Sequence, residues 1–150
     1  MKKILITLTL VLSLSCSKDN PPIDYVTQND EDIQAYISEN NLNAQKSSSG
    51  LYFVIDEEGT GEQPTQTDDV TVAYKGYYLN DSVFDQSDAN GISFNLQQVI
   101  AGWTEGITYF KENGNGMLLI PAHLGYGNNN YQGIPGGSVL IFDISLISVD

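Results

Sequence analysis

"QQVIAGWTEGITYFKENGNG", residues Gln97–Gly116, is the stretch that decides the fold, because the spacing of apolar side chains changes there. The residues before and after it alternate between apolar and polar, whereas within it apolar residues recur at helical spacing: Val99, Ile100, Trp103, Ile107 and Phe110. The pattern predicts one amphipathic helix that stops at Gly114 and Gly116.

Trp103, the only tryptophan of the chain, stands between Gly102 and Gly106. Each glycine costs a helix about 1 kcal/mol relative to alanine. Two of them beside the bulkiest side chain predict a backbone that closely approaches another group. Taken alone, a tryptophan on the apolar face of a helix is more often part of a protein core than a platform for a ligand.

The flanking segments have the period of two that is typical of β-strands. In "DVTVAYKGYYLND" the alternation places Val70, Val72, Tyr74 and Tyr78 on one face and Thr71, Lys75 and Tyr77 on the other. In "ISFNL" it places Ile92, Phe94 and Leu96 together. "LYFVIDE", "MLLIP" and "SVLIFDISLISVD" are further strands. The predicted fold class is α+β, a twisted antiparallel β-sheet wrapped around one short amphipathic helix.

Residues 29–49 are predicted to form an N-terminal helix extension and a loop, "NAQKSSSG", into the first strand. Asn29 is the expected N-cap, and three acidic residues after it favour the positive end of the helix dipole. Ile33, Tyr36 and Ile37 share one face, which we expect to pack on the domain edge.

The first fifteen residues have the pattern of a secretory signal peptide, with two lysines, an apolar run and Ser15 before Cys16. The end of the run resembles a bacterial lipobox, except that Ser13 stands where leucine is usual. The resemblance implies lipidation of Cys16, a lipid-anchored linker over residues 16–28, and a place in the bacterial cell envelope, at the outer membrane. A single cysteine excludes a disulfide within the chain.

A net charge of −13 argues against binding to nucleic acid or to anionic lipid headgroups. His123 has no partner at metal-ligand spacing, and the acidic residues 56–58 lack the alternating oxygen ligands of a calcium loop. We therefore expect no metal and no cofactor. No hydrolase or redox motif is found.

The sixteen residues Ala122–Gly137, "AHLGYGNNNYQGIPGG", are predicted to form a loop between the last two strands, which we call the flap. Loops of this length in a compact domain are usually functional. Tyr126 lies between two glycines, and Ile134 and Pro135 precede the final strand. These side chains suggest a lid over an apolar pocket with Trp103 as its floor.

Five motifs, "VAYKGYY", "VFDQS", "VIAGWTEG", "MLLIPAHLGYG" and "IPGGSVLIFDISLI", follow one another along residues 50–150. In order and spacing they resemble the FKBP-type peptidyl-prolyl cis-trans isomerases. The resemblance covers the whole predicted domain and implies an FKBP-like fold. It also implies isomerisation of X-Pro bonds in envelope or exported proteins.

The resemblance implies a proline pocket lined by nine residues: Tyr74, Phe84, Asp85, Val99, Ile100, Trp103, Tyr126, Ile134 and Phe142. Trp103 would be the platform for the pyrrolidine ring, and Phe84 and Phe142 the walls. The backbone N–H of Ile100 and the hydroxyl of Tyr126 would donate hydrogen bonds to substrate carbonyls. Asp85 would bond Tyr74 or a ligand.

Two departures from the family pattern affect the expected pocket. Ile92 stands where many members have a further aromatic wall, and Gly133 stands where an aliphatic residue is common. We therefore expect a wider pocket, a looser grip on proline-containing polypeptides, and weak binding of macrolide inhibitors of the tacrolimus type.

Two other functions remain open at this point. One is a catalytically weak FKBP-like binding module that recognises proline-containing segments or a partner protein. The other is an unrelated surface lipoprotein that binds glycans or host proteins through exposed Tyr77, Tyr78 and Tyr131.

Overall fold

The computed structural model describes residues 23–150. Two α-helices and seven β-strands are found there: α1 (Tyr25–Glu39), β1 (Gln45–Lys46), β2 (Tyr52–Glu57), β3 (Asp69–Tyr77), β4 (Val83–Gln86), β5 (Ile92–Asn95), α2 (Ala101–Gly106), β6 (Asn115–Ile120) and β7 (Leu140–Val149). The same residues also contain three short 3₁₀ turns: Leu96–Gln98, Ile107–Tyr109 and Ala122–Leu124. Among the described residues, no helix is long and apolar enough to cross a membrane.

All seven strands belong to one antiparallel sheet, in the order β1-β2-β6-β7-β3-β4, with β5 pairing with β3 beside β4. The long strand β3 therefore contacts three others. Its register places Gly76 opposite both Asp85 of β4 and Phe142 of β7. The predicted α+β fold class is confirmed.

The two faces of the sheet carry separate apolar cores. On one face α2 packs, and Trp103, Ile107 and Phe110 join alternate residues of the strands. On the other face Ile33 of α1 packs against a second cluster. The alternation predicted in β3 is confirmed, because Val70 and Val72 belong to the first core and Tyr77 to the second.

Helix α2 approaches strand β6 closely, which explains the two glycines beside Trp103. A Cβ atom at Gly102 would lie 2.6 Å from Ile120, and one at Gly106 would lie 2.7 Å from Leu118. Carbon atoms in contact are about 3.5–4.0 Å apart, so neither position has room for a side chain. The predicted close approach is confirmed, and its partner is the sheet.

The prediction of one continuous helix between Gln97 and Gly116 is wrong. Val99 is extended, with φ −116° and ψ 177°, so the helical conformation is interrupted before α2 begins. α2 has only six residues and passes into a 3₁₀ turn. β-Branched residues at Val99 and Ile100, and glycine at two of the six helical positions, are unfavourable for helix.

The predicted start of the N-terminal helix is also wrong. Asp24, not Asn29, caps α1, and its carboxylate accepts hydrogen bonds from the backbone N–H groups of Val26 (3.1 Å) and Thr27 (3.4 Å). The last residues of the stretch predicted as a linker are therefore helical. The predicted signal peptide and Cys16 lie outside the described residues.

The loop predicted between α1 and the first long strand contains a strand of its own. Gln45 and Lys46 pair with Phe53 and Tyr52 at the edge of the sheet. Lys46 also forms an ion pair with Asp30 of α1. This edge strand therefore links α1 to the sheet.

Candidate active site

A cavity of about 450 Å³ opens between α2, the strands β3, β4, β5 and β7, and the flap. The residues around it come from all of these elements: Tyr74, Phe84, Asp85, Ile92, Phe94, Gln98, Val99, Ile100, Trp103, Tyr126, Tyr131, Gln132 and Phe142. Most of these side chains are aromatic or aliphatic. The cavity has the size and composition of a small-ligand site.

Trp103 forms the floor of the cavity and is only 4% exposed. The edge of Tyr74 meets its ring at a centroid distance of 5.0 Å, and Phe142 meets it at 5.1 Å. Edge-to-face pairs of this kind hold rings in fixed relative orientations. The Nε1–H of Trp103 has no hydrogen-bond partner among residues 23–150.

Phe84 and Phe142 form the walls, with their rings perpendicular and 5.5 Å apart. Gly76 makes this arrangement possible. A Cβ atom there would lie 2.8 Å from both rings, which is well inside van der Waals contact. Phe84 and Phe142 can therefore form the cavity walls only if the residue between them, Gly76 of the "YKGYY" segment, has no side chain.

The polar side of the cavity is formed by Tyr74 and Asp85. The Tyr74 hydroxyl donates a 2.7 Å hydrogen bond to Oδ2 of Asp85. Burial raises the pKa of Tyr74 well above its ordinary value, and the hydrogen bond to Asp85 raises this pKa further. Tyr74 therefore stays protonated throughout the physiological pH range.

Two hydrogen-bond donors at the cavity are unused within residues 23–150. The backbone N–H of Ile100, the residue that precedes α2, finds no acceptor there. Neither does the hydroxyl of Tyr126, whose side chain is 38% exposed and stacks on Tyr131 at 5.1 Å. Burial, followed by the nearby Asp85, raises the pKa of Tyr126. Both groups are available to a ligand.

Residues 60–147 match the family described as FKBP-type peptidyl-prolyl cis-trans isomerase. The chain belongs to this family. An FKBP-type isomerase named FkpA from Buchnera aphidicola (subsp. Schizaphis graminum) is 46% identical over 107 residues, which are 69% of this chain and 42% of the relative. FkpA of Escherichia coli K12 is 44% identical over 105 residues, covering 69% of this chain and 39% of the relative.

Solved structures of peptidyl-prolyl cis-trans isomerases have the same fold. A peptidyl-prolyl isomerase of Pseudomonas syringae superposes with a TM-score of 0.76 at 26% identity and covers 88% of this chain and 98% of its own. The crystal structure of Escherichia coli FkpA superposes with a TM-score of 0.74 at 36% identity. The superposition covers 83% of this chain and 61% of the FkpA chain. This chain spans about two fifths of the length of the curated relatives.

The FKBP-type cavity brings together nine of the ten residues predicted from the sequence to form the site. The exception is Ile134, which lines an adjacent cavity of about 410 Å³ on the flap side of Phe84, Asp85 and Tyr126. The bridge between Tyr131 and Ile134 turns the flap back on itself, so Tyr131 reaches the main cavity in place of Ile134. Ile92 lies at the mouth and is 48% exposed.

Four residues of the FKBP-type cavity were not predicted: Phe94, Gln98, Tyr131 and Gln132. Phe94 could have been found, because it shares a strand face with Ile92, and its ring lies 5.3 Å from Trp103. Tyr131 and Gln132 reach the cavity through the turn of the flap, in which Gln132 has φ +45°. The one local signal of that turn is Gly133, which has φ +90°.

Membership of the FKBP family contradicts the hypothesis of an unrelated surface lipoprotein. The tyrosines proposed to stack on glycans do not form one exposed group. Tyr77 is only 7% exposed, and its hydroxyl donates a hydrogen bond of 2.9 Å to Asp143. His123 is exposed, as predicted, with Nε2 at 2.9 Å from the carbonyl oxygen of Ser49.

Proposed function

We propose that this protein is an active peptidyl-prolyl cis-trans isomerase that assists folding of envelope or exported proteins. The observation that carries the proposal is an aromatic cavity with two unused hydrogen-bond donors at its edge. An apolar recess of this size accommodates a pyrrolidine ring, and the free donors suit the carbonyls on either side of it. Membership of the family supports the same reaction.

The proposed mechanism requires no covalent step. Resonance gives the amide bond a rotational barrier of about 18–20 kcal/mol. A planar amide is more charge-separated than a twisted one, so an apolar surface disfavours the planar form relative to the twisted transition state. Trp103 would support the proline ring while Phe84 and Phe142 exclude water from it.

The two free donors would hold the peptide during this rotation. The Ile100 N–H and the Tyr126 hydroxyl would donate to substrate carbonyls and fix the chain on either side of the rotating bond. Asp85 would keep the Tyr74 ring in place through the observed 2.7 Å hydrogen bond. Proton transfer has no part in this scheme, because Tyr74 stays protonated.

The width of the cavity bears on inhibitors. Ile92 is half exposed at the mouth and provides less surface than an aromatic ring would. We therefore expect macrolides of the tacrolimus type to bind, but weakly.

The N-terminal sequence supports a location in the cell envelope. Residues 1–15 would be removed as a signal peptide, and acylation of Cys16 would anchor the protein to the outer membrane. Mass spectrometry of the membrane fraction tests this. An acylated N-terminal Cys16, lost with Cys16→Ser, is expected; an unmodified Cys16 in mature protein would contradict the anchor.

A catalytically weak binding module is the second candidate. The exposed side chains at the cavity mouth favour it, since Ile92 and Tyr131 are each 48% exposed and leave the cavity open. Such a module would bind proline-containing segments without appreciable turnover.

A protease-coupled assay on the purified protein separates the two candidates, with short peptides that differ in the residue before proline. The uncatalysed exchange takes about 10–100 s. Rates that rise in proportion to protein concentration are expected. Peptide binding without any acceleration would favour the binding module.

A further inference from the structure

Asn29 of α1 is buried, with 2% of its surface exposed, and is the only buried residue of residues 23–150 whose side chain is neither aliphatic nor aromatic, the buried glycines aside. Both functional atoms of its amide are used. Oδ1 accepts a 2.8 Å hydrogen bond from the backbone N–H of Ala122, and Nδ2 donates a 2.9 Å hydrogen bond to the carbonyl oxygen of Gly137. An uncharged amide can accept through its oxygen and donate through its nitrogen at the same time.

These two partners are the first and last residues of the flap. Between them lies a ring of backbone hydrogen bonds, from the N–H of Gly127 to Ala122 (2.8 Å) and from the N–H of Gly137 to Gly127 (2.9 Å). We call Ala122, Gly127 and Gly137 the neck of the flap. Asn29 of α1 forms hydrogen bonds with two of the three neck residues, Ala122 and Gly137.

A second residue of α1 also contacts the neck. The Tyr25 ring packs directly on Gly137, which has φ +77° and where a Cβ atom would clash with that ring. Residues in the first two turns of α1 therefore contact the last residue of the flap. The neck also adjoins the cavity, because Tyr126 immediately precedes Gly127 and lines the cavity.

We propose that Asn29 is a positioning residue that sets the catalytic efficiency of the cavity through the neck of the flap. By fixing Ala122 and Gly137 relative to the sheet, it fixes the place of the Tyr126 hydroxyl. The effect on catalysis rests on the proposed isomerase function. The effect on the flap does not depend on that function.

Three variants separate this role from simple support of α1. Asn29→Ala removes both hydrogen bonds. Asn29→Asp keeps the shape and the acceptor, but a carboxylate cannot donate to the Gly137 carbonyl until it is protonated. Ile33→Val is the matched control, because Ile33 is fully buried on the same helix and packs on the sheet.

Amide hydrogen exchange is the first readout. In Asn29→Ala, exchange at Gly127, Ile134 and Gly137 is expected to accelerate about tenfold or more relative to amides of β7, because the flap opens locally. In Ile33→Val the ratio of the exchange rates of the flap amides to those of the β7 amides is expected to stay at its wild-type value. A wild-type ratio in Asn29→Ala would overturn the proposal.

Catalysis is the second readout, measured where each variant is fully folded. Asn29→Ala is expected to lower kcat/KM about fivefold or more, and Ile33→Val less than about twofold. In Asn29→Asp, kcat/KM is expected to fall as the pH rises through the pKa of the buried carboxyl, while the wild type stays level. Equal kcat/KM in wild type, Asn29→Ala and Asn29→Asp would overturn the positioning role.

The two readouts also distinguish failure of the proposal from failure of the proposed function. If the wild type does not accelerate isomerisation, the isomerase function is contradicted. The exchange ratio still decides whether Asn29 holds the flap. If Asn29→Ala does not fold, Asn29→Asp gives the same comparison at low and high pH.

Discussion

The hydroxyl of Tyr74 donates a 2.7 Å hydrogen bond to Oδ2 of Asp85 and joins strand β3 to strand β4 at the wall of the cavity. The same Tyr74 ring meets the floor residue Trp103 edge-on at 5.0 Å. One polar contact therefore fixes an aromatic ring that in turn contacts the floor. The charge of Asp85 and its capacity to accept a hydrogen bond are separable contributions to the site.

Asp85→Asn is expected to retain most activity, because the amide oxygen can still accept from Tyr74. We expect kcat/KM within about threefold of wild type for Asp85→Asn and about tenfold lower for Asp85→Ala. Steady-state assays on both variants test this. Equal losses in the two would show that the carboxylate charge matters and the hydrogen bond does not.

Tyr126→Phe is expected to lower kcat/KM about three- to tenfold, the value of one hydrogen bond to the transition state. Its Tm should match the wild type, because the hydroxyl has no partner among residues 23–150. Tyr131→Phe is the matched control, since Tyr131 stacks on Tyr126 and its hydroxyl likewise has no partner within that range. Wild-type kcat/KM in Tyr126→Phe would remove the Tyr126 hydroxyl from the mechanism.

Gly76→Ala is expected to damage the cavity walls. The added methyl group would overlap the rings of Phe84 and Phe142 and cost about 1–3 kcal/mol of stability. The free energy of unfolding, measured by urea titration, and kcat/KM should both fall. Wild-type behaviour of Gly76→Ala would contradict the role given to this glycine.

Stability is expected to decline at alkaline pH through Tyr77. Burial, and then the hydrogen bond to Asp143, raises the pKa of Tyr77 far above its ordinary value. The unfolded state loses the proton near pH ~10 while the folded state keeps it, so the free energy of unfolding falls above about pH 10 and is unaffected by this group below it.

Tyr77→Phe tests the alkaline prediction, because phenylalanine cannot ionise. Urea unfolding in steps from about pH 8 to 11 should give a shallower decline for the variant than for the wild type. If the free energy of unfolding declines equally steeply with pH in the variant and the wild type, Tyr77 is excluded as the cause of the alkaline destabilisation.

The strands and most of the cavity could be predicted because their signals are local. Alternation in β3 correctly divided Val70 and Val72 from Tyr77, since side chains of a strand point to opposite faces. The glycines beside Trp103 correctly indicated close approach, since only a missing Cβ permits it. Nine of the ten residues predicted from the order of the motifs line one cavity.

The parts that could not be predicted depend on distant contacts. Asn29 has the side chain of a helix cap, and its partners Ala122 and Gly137 lie 93 and 108 residues away along the chain. The position of Ile134 depends on how the flap folds back on Tyr131. Neither arrangement leaves a periodic pattern in the sequence.

The most direct test of the central claim is NMR exchange spectroscopy of a short X-Pro peptide with wild type, Phe84→Ala and Phe53→Ala. Phe84 lines the cavity, whereas Phe53 stacks on Tyr109 at 4.2 Å and does not line it. We expect wild type and Phe53→Ala to accelerate cis-trans exchange equally, and Phe84→Ala to be slower by about tenfold or more. Exchange at the uncatalysed rate with folded wild type, or equal acceleration by all three proteins, would contradict catalysis in this cavity.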